Sequence, residues 1–205
     1  MDVQILLSFV ASVAVLAISP GPDNIFVLMQ SVVYGKKYGL ATVIGLMTGC
    51  IIHTTLVAFG VSVIIKENEN IFLAIKLLGA FYLIYLAYKV FKSDARIAMN
   101  ADCIEKKTPF QLFKVGFLMN VLNPKVTIFF LALFPGFLFS ESLSSVLQFY
   151  VLGGLFILTS FIIFSSIAFL GGTISKTIQK HKNIGVWLKW MQIIVFVGIA
   201  IFILM

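Results

Sequence analysis

Long apolar stretches alternate with short polar tracts along this chain, and the pattern predicts a bundle of membrane-spanning helices. Crossing about 30 Å of hydrocarbon takes roughly 20 apolar residues in a helix, and six stretches reach that length. They cover residues 3–33, 40–65, 71–91, 110–139, 143–170 and 184–205. We therefore expect an all-α, polytopic integral membrane protein whose 205 residues form one transmembrane domain.

Proline interrupts the first and the fourth of these stretches. The first contains SPGPDN at positions 19–24, and the fourth contains NVLNPK at positions 120–125. Proline lacks the N–H that a helix needs, and its ring clashes with the preceding turn, so neither helix continues unbroken. We predict helix breaks at Pro20, Pro22 and Pro124.

The polar tract 92–107 is the longest between spans and predicts a linker between two halves, 1–91 and 108–205. Thr108 and Pro109 suit the N-cap and the first position of a helix, so the second half is expected to begin there. Each half has three spans, an odd number, so the second half enters the membrane from the opposite side. The result is an inverted repeat, an arrangement common in secondary transporters.

Composition supports a membrane protein, because 60% of the residues are hydrophobic and only 11% are charged. The net charge of +7 does not predict a nucleic-acid partner, since the positive residues lie in short tracts between apolar runs. Of the 15 lysines and arginines, two follow span one, six follow span three and four follow span five. Cytoplasmic loops are rich in these residues, so both termini are expected outside. The first run lacks a signal-peptide pattern and is expected to remain as a span.

Two charges of opposite sign follow the breaks, Asp23 and Lys125. From Lys36 back to Asp23 is about 20 Å of helix, and from Lys114 to Lys125 about 16 Å, so both lie near the middle of the bilayer. An unpaired charge there costs at least about 2.5 kcal/mol, so each is expected to face a partner, a wet cavity or substrate. Two alternatives stay open: span one could end near Pro20 with Asp23 at the interface, and Lys125 could snorkel.

The two restarted helices run in opposite directions, so their N-termini are expected to converge and to attract an anion. An amino acid zwitterion fits such a site, with its carboxylate at Lys125 and its ammonium at Asp23 and nearby amide oxygens. The predicted substrate-binding residues are Gly21, Asp23, Asn24, Asn120, Asn123 and Lys125. Broken helices in matching positions of two halves are a known pointer to a transporter's site.

His53 is a second candidate for proton coupling besides Asp23. It follows Gly45 and Gly49 at helical spacing, so span two presents small residues and then an imidazole on one face. A proton-relay role and a bond to a carbonyl freed by a proline break both stay open for it. Cys50 and Cys103 show no metal or redox spacing, so no metal, cofactor or catalytic site is predicted.

The residues at the breaks also resemble a known family, the LysE/RhtB amino acid exporters. The sequence SPGP at 19–22 resembles the hallmark motif of that family. In the second half, a second conserved region of the family is resembled by NVLNPKVTIFF at 120–130 and FPGF at 134–137. Gly136 departs from the glutamine that is common there. The resemblance covers nearly the whole chain and implies efflux of mostly neutral amino acids, such as homoserine, threonine or leucine, by proton antiport across the inner membrane of a bacterium.

A metal-cation exporter is the main alternative, since Asp23 with amide and carbonyl oxygens could bind a cation. Lys125 argues against it, because a cation site rarely tolerates an adjacent ammonium. A redox or assembly protein would want paired cysteines or an interaction domain, and a channel differs by lacking proton coupling. The oligomeric state stays open, a homo-oligomer included.

Overall fold

A computed structural model describes residues 2–19, 21–61, 69–93, 107–180 and 184–204. Within these ranges the regular structure is helical and no strand occurs. The α-helices are α1 (Val3–Ile18), α2 (Pro22–Tyr34), α3 (Lys36–Leu56), α4 (Glu69–Lys92), α5 (Pro109–Val121), α6 (Pro124–Leu133), α7 (Ser145–Lys180) and α8 (Ile184–Leu204).

Short turns of other helical types prolong two of these helices. A π-helical turn, Val57–Val61, continues α3, and a 3-10 turn, Phe134–Phe137, continues α6. With its π turn, α3 is long and apolar enough to cross a membrane, and so are α4, α7 and α8. The pairs α1–α2 and α5–α6 pass the same test together, bent by 61° and 51°. Counting each bent pair as one span makes six, so the all-helical polytopic fold with two broken spans is confirmed.

The predicted break at Pro20 lies outside the described residues, as does nearly all of the predicted linker. The other two proline positions begin new helices. Pro22 opens α2 and Pro124 opens α6, where a missing N–H costs nothing because the first helical N–H groups have no partner within the helix.

The outer surface of the bundle is apolar, as contact with lipid requires. Leu78, Phe81, Leu122 and Ile194 each expose between 67% and 74% of their surface. A protein in water rarely presents so much contiguous apolar area, whereas lipid tails solvate it. The surface therefore supports the bilayer as the surrounding solvent.

Glycines let α3 approach α5 and α7 closely. A Cβ atom at Gly45 would overlap the backbone of α5, and one at Gly116 would overlap the carbonyl of Thr42. On α7, Gly153 packs in the same way against the side chain of Thr54. Small residues at helix crossings are typical of membrane bundles, where close backbone contact replaces the hydrophobic effect. This packing holds α3 at the centre, beside the second break.

The helix α7 is longer than its predicted span, 143–170, and continues to Lys180. Gly171 lies inside this helix and packs closely there, since a Cβ atom at this position would lie 3.1 Å from Ser31 on α2. The polar residues after it extend the helix beyond the apolar stretch.

Both halves of the chain have the same order of elements, a broken pair followed by two long helices, as an inverted repeat requires. The halves also pack on each other, with α3 against α5 and α4 against α8. At one end of the second pair Lys189 Nζ donates to the carbonyl of Ser93 at 2.8 Å. The division into the halves 1–91 and 108–205 stays a prediction.

Candidate functional site

The first break is closed by a side chain that reaches back over it. Asn24, in the first turn of α2, donates its Nδ2 hydrogen to the carbonyl of Ala17 in the last turn of α1, at 2.8 Å. The carbonyls at the end of α1 have no helical donors left, so this bond satisfies one of them. Gly21 precedes α2 in extended conformation and provides no side-chain cap. Asp23 follows in the first turn, where the helix dipole favours a negative charge.

The second break is closed by two side chains from different parts of the chain. Asn123 Oδ1 accepts from the backbone N–H of Lys125 at 3.0 Å and so caps α6. Pro124 has no N–H for the carbonyl of Asn120, four residues earlier. The backbone N–H of Asn123 donates to that carbonyl at 3.0 Å, and His53 Nε2, on a side chain that is 3% exposed, lies 3.1 Å from the same oxygen as a second donor.

A single hydrogen bond joins the two breaks. Asn123 Nδ2 donates to Asp23 Oδ2 at 3.0 Å, across 100 positions of sequence. Lys125 lies on the other side of the same space, since a Cβ atom at Gly21 would be 3.8 Å from Lys125 Nζ. The ammonium sits 4.8 Å from the centre of the Phe196 ring, within cation–π range. The predicted breaks therefore meet.

Asp23 and Lys125 face one space without forming a direct ion pair. Among the described residues no Lys or Arg nitrogen lies within 4.0 Å of an Asp or Glu oxygen. Each charge has a substitute partner instead, an amide for Asp23 and an aromatic ring for Lys125. Two opposite charges held apart in this way can accept the two ends of a zwitterion.

Asn120 contributes an unsatisfied acceptor beside the same space. Its side chain is 4% exposed, its Nδ2 donates to Cys50 Sγ at 3.4 Å, and its Oδ1 has no hydrogen-bond partner. Gly49 faces it so closely that a Cβ atom would lie 2.6 Å from the Asn120 Oδ1. A buried acceptor without a donor is costly, so a ligand donor at this position is favourable.

The breaks line a cavity of about 280 Å³ that we name the central cavity. It takes in every predicted substrate-binding residue and the two break prolines that are described. These are Gly21, Pro22, Asp23, Asn24, Asn120, Asn123, Pro124 and Lys125. His53 is not in the wall and reaches the site only through Asn120.

The central cavity also has polar residues that the motifs did not indicate. Tyr82 and Lys89 on α4, Ser160 on α7 and Gln192 on α8 all line it. One signal could have identified two of them: Ser160 and Gln192 are polar positions inside apolar spans, where polar side chains usually face the interior. Lys89 is exposed and lies near the C-terminal end of α4, so the cavity opens toward that end of the bundle.

Apolar side chains form the rest of the wall, among them Leu46, Met47, Phe156, Phe164 and Phe196. A small ligand therefore meets charge at the breaks and apolar surface around them. Within the described ranges no three His, Cys, Asp or Glu side chains come together as a metal site. The donor set beside Asp23, amides and an ammonium, suits an organic zwitterion better than a cation.

The chain is similar in sequence to several known membrane proteins. A sequence profile of the family described as LysE type translocator matches residues 14–205. An uncharacterized membrane protein of Bacillus subtilis strain 168 is 33% identical over 141 residues, covering 65% of this chain and 67% of the relative.

Two relatives have transport functions in their names. A homoserine/homoserine lactone efflux protein of Salmonella typhimurium is 27% identical over 86% of this chain and 84% of its own. A leucine efflux protein of Salmonella choleraesuis is 29% identical over 88% of this chain and 85% of its own. No solved structure matches the chain.

Proposed function

The chain belongs to the LysE type translocator family, and on that premise we propose that it is a secondary transporter that exports neutral amino acids by proton antiport. Its place is the cytoplasmic membrane of a bacterium, with both termini outside. The observation that carries the proposal is the pair of opposite charges, Asp23 and Lys125, that face one cavity from two helix breaks without pairing directly.

The carboxylate of the substrate binds at the start of α6. Lys125 supplies the positive charge there, and the helix dipole adds to it. The Phe196 ring holds the ammonium by a weaker contact than an ion pair, so Lys125 can turn from the ring to a carboxylate. An α-carboxylate is common to all amino acids, which suits a family with several substrates.

The ammonium of the substrate binds at the first break. Asp23 provides the charge, and Asn120 Oδ1 provides an acceptor that no donor occupies. Asn24 uses its Nδ2 on Ala17, which leaves its oxygen free for the substrate. Asn123 is different, because its oxygen caps α6 and its nitrogen holds Asp23. It is therefore a positioning residue.

The side chain of the substrate lies against apolar wall. Leu46, Phe156 and Phe164 are among the residues there, and a cavity of about 280 Å³ has the size of a small-molecule site. Homoserine and leucine, the substrates named for two relatives, are both neutral amino acids. A neutral side chain needs no further charge in the wall.

Proton antiport requires one group that takes either a proton or the substrate. Asp23 is that group: it binds the substrate ammonium on the cytoplasmic side and a proton after release outside. The membrane potential supplies about 2.3 kcal/mol per charge per 100 mV, roughly fortyfold in concentration, so one inward proton can drive export of a neutral zwitterion. The opening of the central cavity near Lys89 then faces the cytoplasm, in an inward-open state of alternating access.

Reconstituted vesicles with an imposed pH gradient test this proposal. Asp23→Asn should abolish the dependence of amino acid transport on the gradient, because no group remains to exchange a proton for the ammonium. Glu141→Gln, a substitution at an exposed acid outside the cavity, is the matched control and should behave as the parent chain. If the Asp23→Asn protein keeps the parent's response to pH, Asp23 does not couple protons to export.

A further inference from the structure

A second cavity lies between α4, the end of α6 and α8, and we name it the outer cavity. Its volume is about 280 Å³. It shares no lining residue with the central cavity, so it is a separate space. Residues of its wall include Phe72, Lys76, Ala132, Gly136 and Phe202.

The two cavities are separated by the same length of helix on each of the three helices that line both. On each of the three helices, six positions separate the nearest lining residues of the two cavities, which is about 9 Å at 1.5 Å per residue. The pairs are Tyr82 and Lys76 on α4, Val126 and Ala132 on α6, and Phe196 and Phe202 on α8. In the predicted topology α4 runs opposite to α6 and α8. Because the separation is nevertheless equal on all three helices, the two cavities lie end to end along the bundle.

The layer between the cavities is closed by tight packing. Gly79 on α4 fits against α6 so closely that a Cβ atom there would overlap Ala132 and lie 3.4 Å from Ile128. Ile199 and Ala200 on α8 are 8% and 1% exposed. They belong to the same buried cluster as Ala132. The central cavity is thus sealed from the outer one by about one and a half turns of helix.

We propose that the outer cavity is the exit half of the transport path, and that the Gly79–Ala132 contact is the closed gate between the two halves. The inference rests on the proposed amino acid export and adds its route. The substrate passes between α4, α6 and α8 when this contact opens. Because one side of the contact is a glycine, no side chains interlock there. The helices can therefore separate by moving the backbone at Gly79 away from the single methyl group of Ala132.

Lys76 gives the outer cavity a chemistry that suits the substrate. It is partly buried in a wall that is otherwise apolar, and its Nζ lies 5.9 Å from the Phe72 ring centre. No acidic side chain among the described residues pairs with it. An amino acid carboxylate that leaves Lys125 therefore meets a second cation on the way out. This cation lies about halfway between the central cavity and the N-terminal end of α4.

Labelling of single cysteines with an impermeant, negatively charged methanethiosulfonate tests the route. Gly136→Cys places a thiol in the outer cavity, where a Cβ atom meets nothing within 4 Å. Ser142→Cys is the matched control, exposed in the connection that follows and outside the cavity wall. The reagent is applied from the side at which Ser142→Cys is labelled, and the parent chain with its native cysteines receives the same treatment.

Labelled Gly136→Cys should lose at least about tenfold of its export, whereas labelled Ser142→Cys should stay within about twofold of the parent. Excess substrate should slow labelling of the first thiol and not of the second. The exit route is wrong if Gly136→Cys is not labelled, or if it is labelled and exports as before. Should Gly136→Cys fail to fold, Phe202→Cys lines the same cavity and takes its place.

A change of side-chain size at the gate provides the second test. In Gly79→Ala the added Cβ atom would overlap Ala132, so the contact cannot close fully, and vesicles preloaded with amino acid should leak it at least about tenfold faster than vesicles with the parent chain. Ala132→Gly in the same chain removes the overlap and should bring the leak back to within about twofold of the parent. A Gly79→Ala protein that leaks no faster than the parent would exclude this contact as the gate. Both tests are separate from the proposed function, because a parent chain that exports no amino acid refutes the function itself, while an exporting parent whose variants respond neither to the label nor to the size change refutes only the route.

Discussion

The two proline breaks use the same residue types in different ways. At the first, Asn24 bonds back to the helix that has just ended, and the acid beside it lies where a helix dipole favours it. At the second, Asn123 caps its own helix and also reaches across to Asp23, while Lys125 lies at a helix start where a cation is disfavoured.

The difference shows which break depends on other helices. The first break satisfies one of its carbonyls with its own Asn24 and carries a charge that its own helix start favours, while the buried Ser19 Oγ there has no hydrogen-bond partner. The second takes a further carbonyl donor, His53, from α3 and a partner for its ammonium, Phe196, from α8. Coupling between the breaks therefore passes through Asn123, and variants of each break should differ in what they damage.

The largest effect is expected at Asn123, because one side chain serves both breaks. Asn123→Ala removes the cap and the bond to Asp23; a hydrogen bond to a charged group contributes about 1.5–3 kcal/mol, so export should fall roughly tenfold to a hundredfold. Asn123→Ser separates the two roles, since serine can cap α6 and cannot reach Asp23. It should recover thermal stability without recovering export. Recovery of export by the serine variant would contradict the bridging role.

A slightly smaller and selective effect is expected at Lys125. Lys125→Gln removes the charge that receives the substrate carboxylate, so the KM for amino acids should rise about tenfold. Decarboxylated amines, if the protein carries them, should be spared. Vesicle transport of an amino acid and its matching amine measures the ratio, and equal losses for both would rule out a carboxylate at Lys125.

Asn24→Ala should damage the first break and remove one amide oxygen from the proposed site of the substrate ammonium. The bond to Ala17 contributes about 1 kcal/mol, so Tm in detergent should fall by about 2–4 °C. Export should decline less than in Asn123→Ala, because no bond between the breaks is lost. Equal damage to export by the two variants would contradict the larger role given to the bond between Asn123 and Asp23.

A modest effect is expected at Phe196, whose ring makes the cation–π contact with the Lys125 ammonium. Phe196→Leu removes a cation–π contact of about 1 kcal/mol that competes with the substrate carboxylate for Lys125, so the KM for amino acids should fall by about fivefold. Phe196→Tyr keeps an aromatic face and is the control. If leucine and tyrosine behave alike at this position, the ring does not hold Lys125.

The smallest effect is expected at His53. His53→Gln retains an N–H donor for the Asn120 carbonyl, so export and its response to pH should stay within about twofold of the parent chain. His53→Leu leaves that carbonyl with the Asn123 N–H as its donor and removes the second one, so it should lower Tm. A shift of the pH profile in His53→Gln would instead support the proton-relay role that the sequence left open.

The fold and the position of the site were largely predictable from sequence because their causes are local. A run of apolar residues crosses a membrane whatever its neighbours are, and Pro22 or Pro124 ends a helix by lacking an N–H. The continuation of α7 to Lys180 was not predicted, because the span was bounded by its apolar residues and the helix runs on through polar ones.

The finer structure of the site required the packing of helices. Tyr82 and Gln192 line the central cavity because the faces of α4 and α8 that carry them point inward. When a helix is apolar all round, its hydrophobic pattern does not indicate which face points inward. The roles of the three asparagines differ for the same reason. Asn24, Asn120 and Asn123 are equivalent as residue types in the sequence, and only their contacts in the fold distinguish them. Asn24 bonds back to α1, Asn120 has an unpartnered side-chain oxygen, and Asn123 joins the two breaks.

The sequence by itself determined that this chain is a helical membrane protein with two broken spans and an opposite charge after each break. Those features follow from the hydrophobic effect and from the chemistry of proline, which act over a few residues. The opposed directions of the two halves also predicted that the breaks would converge. Only the tertiary structure decided that Asn123 joins them, and that two cavities lie end to end with Gly79 and Ala132 between them. Contacts across 100 residues depend on how helices pack, and packing is a property of the whole chain.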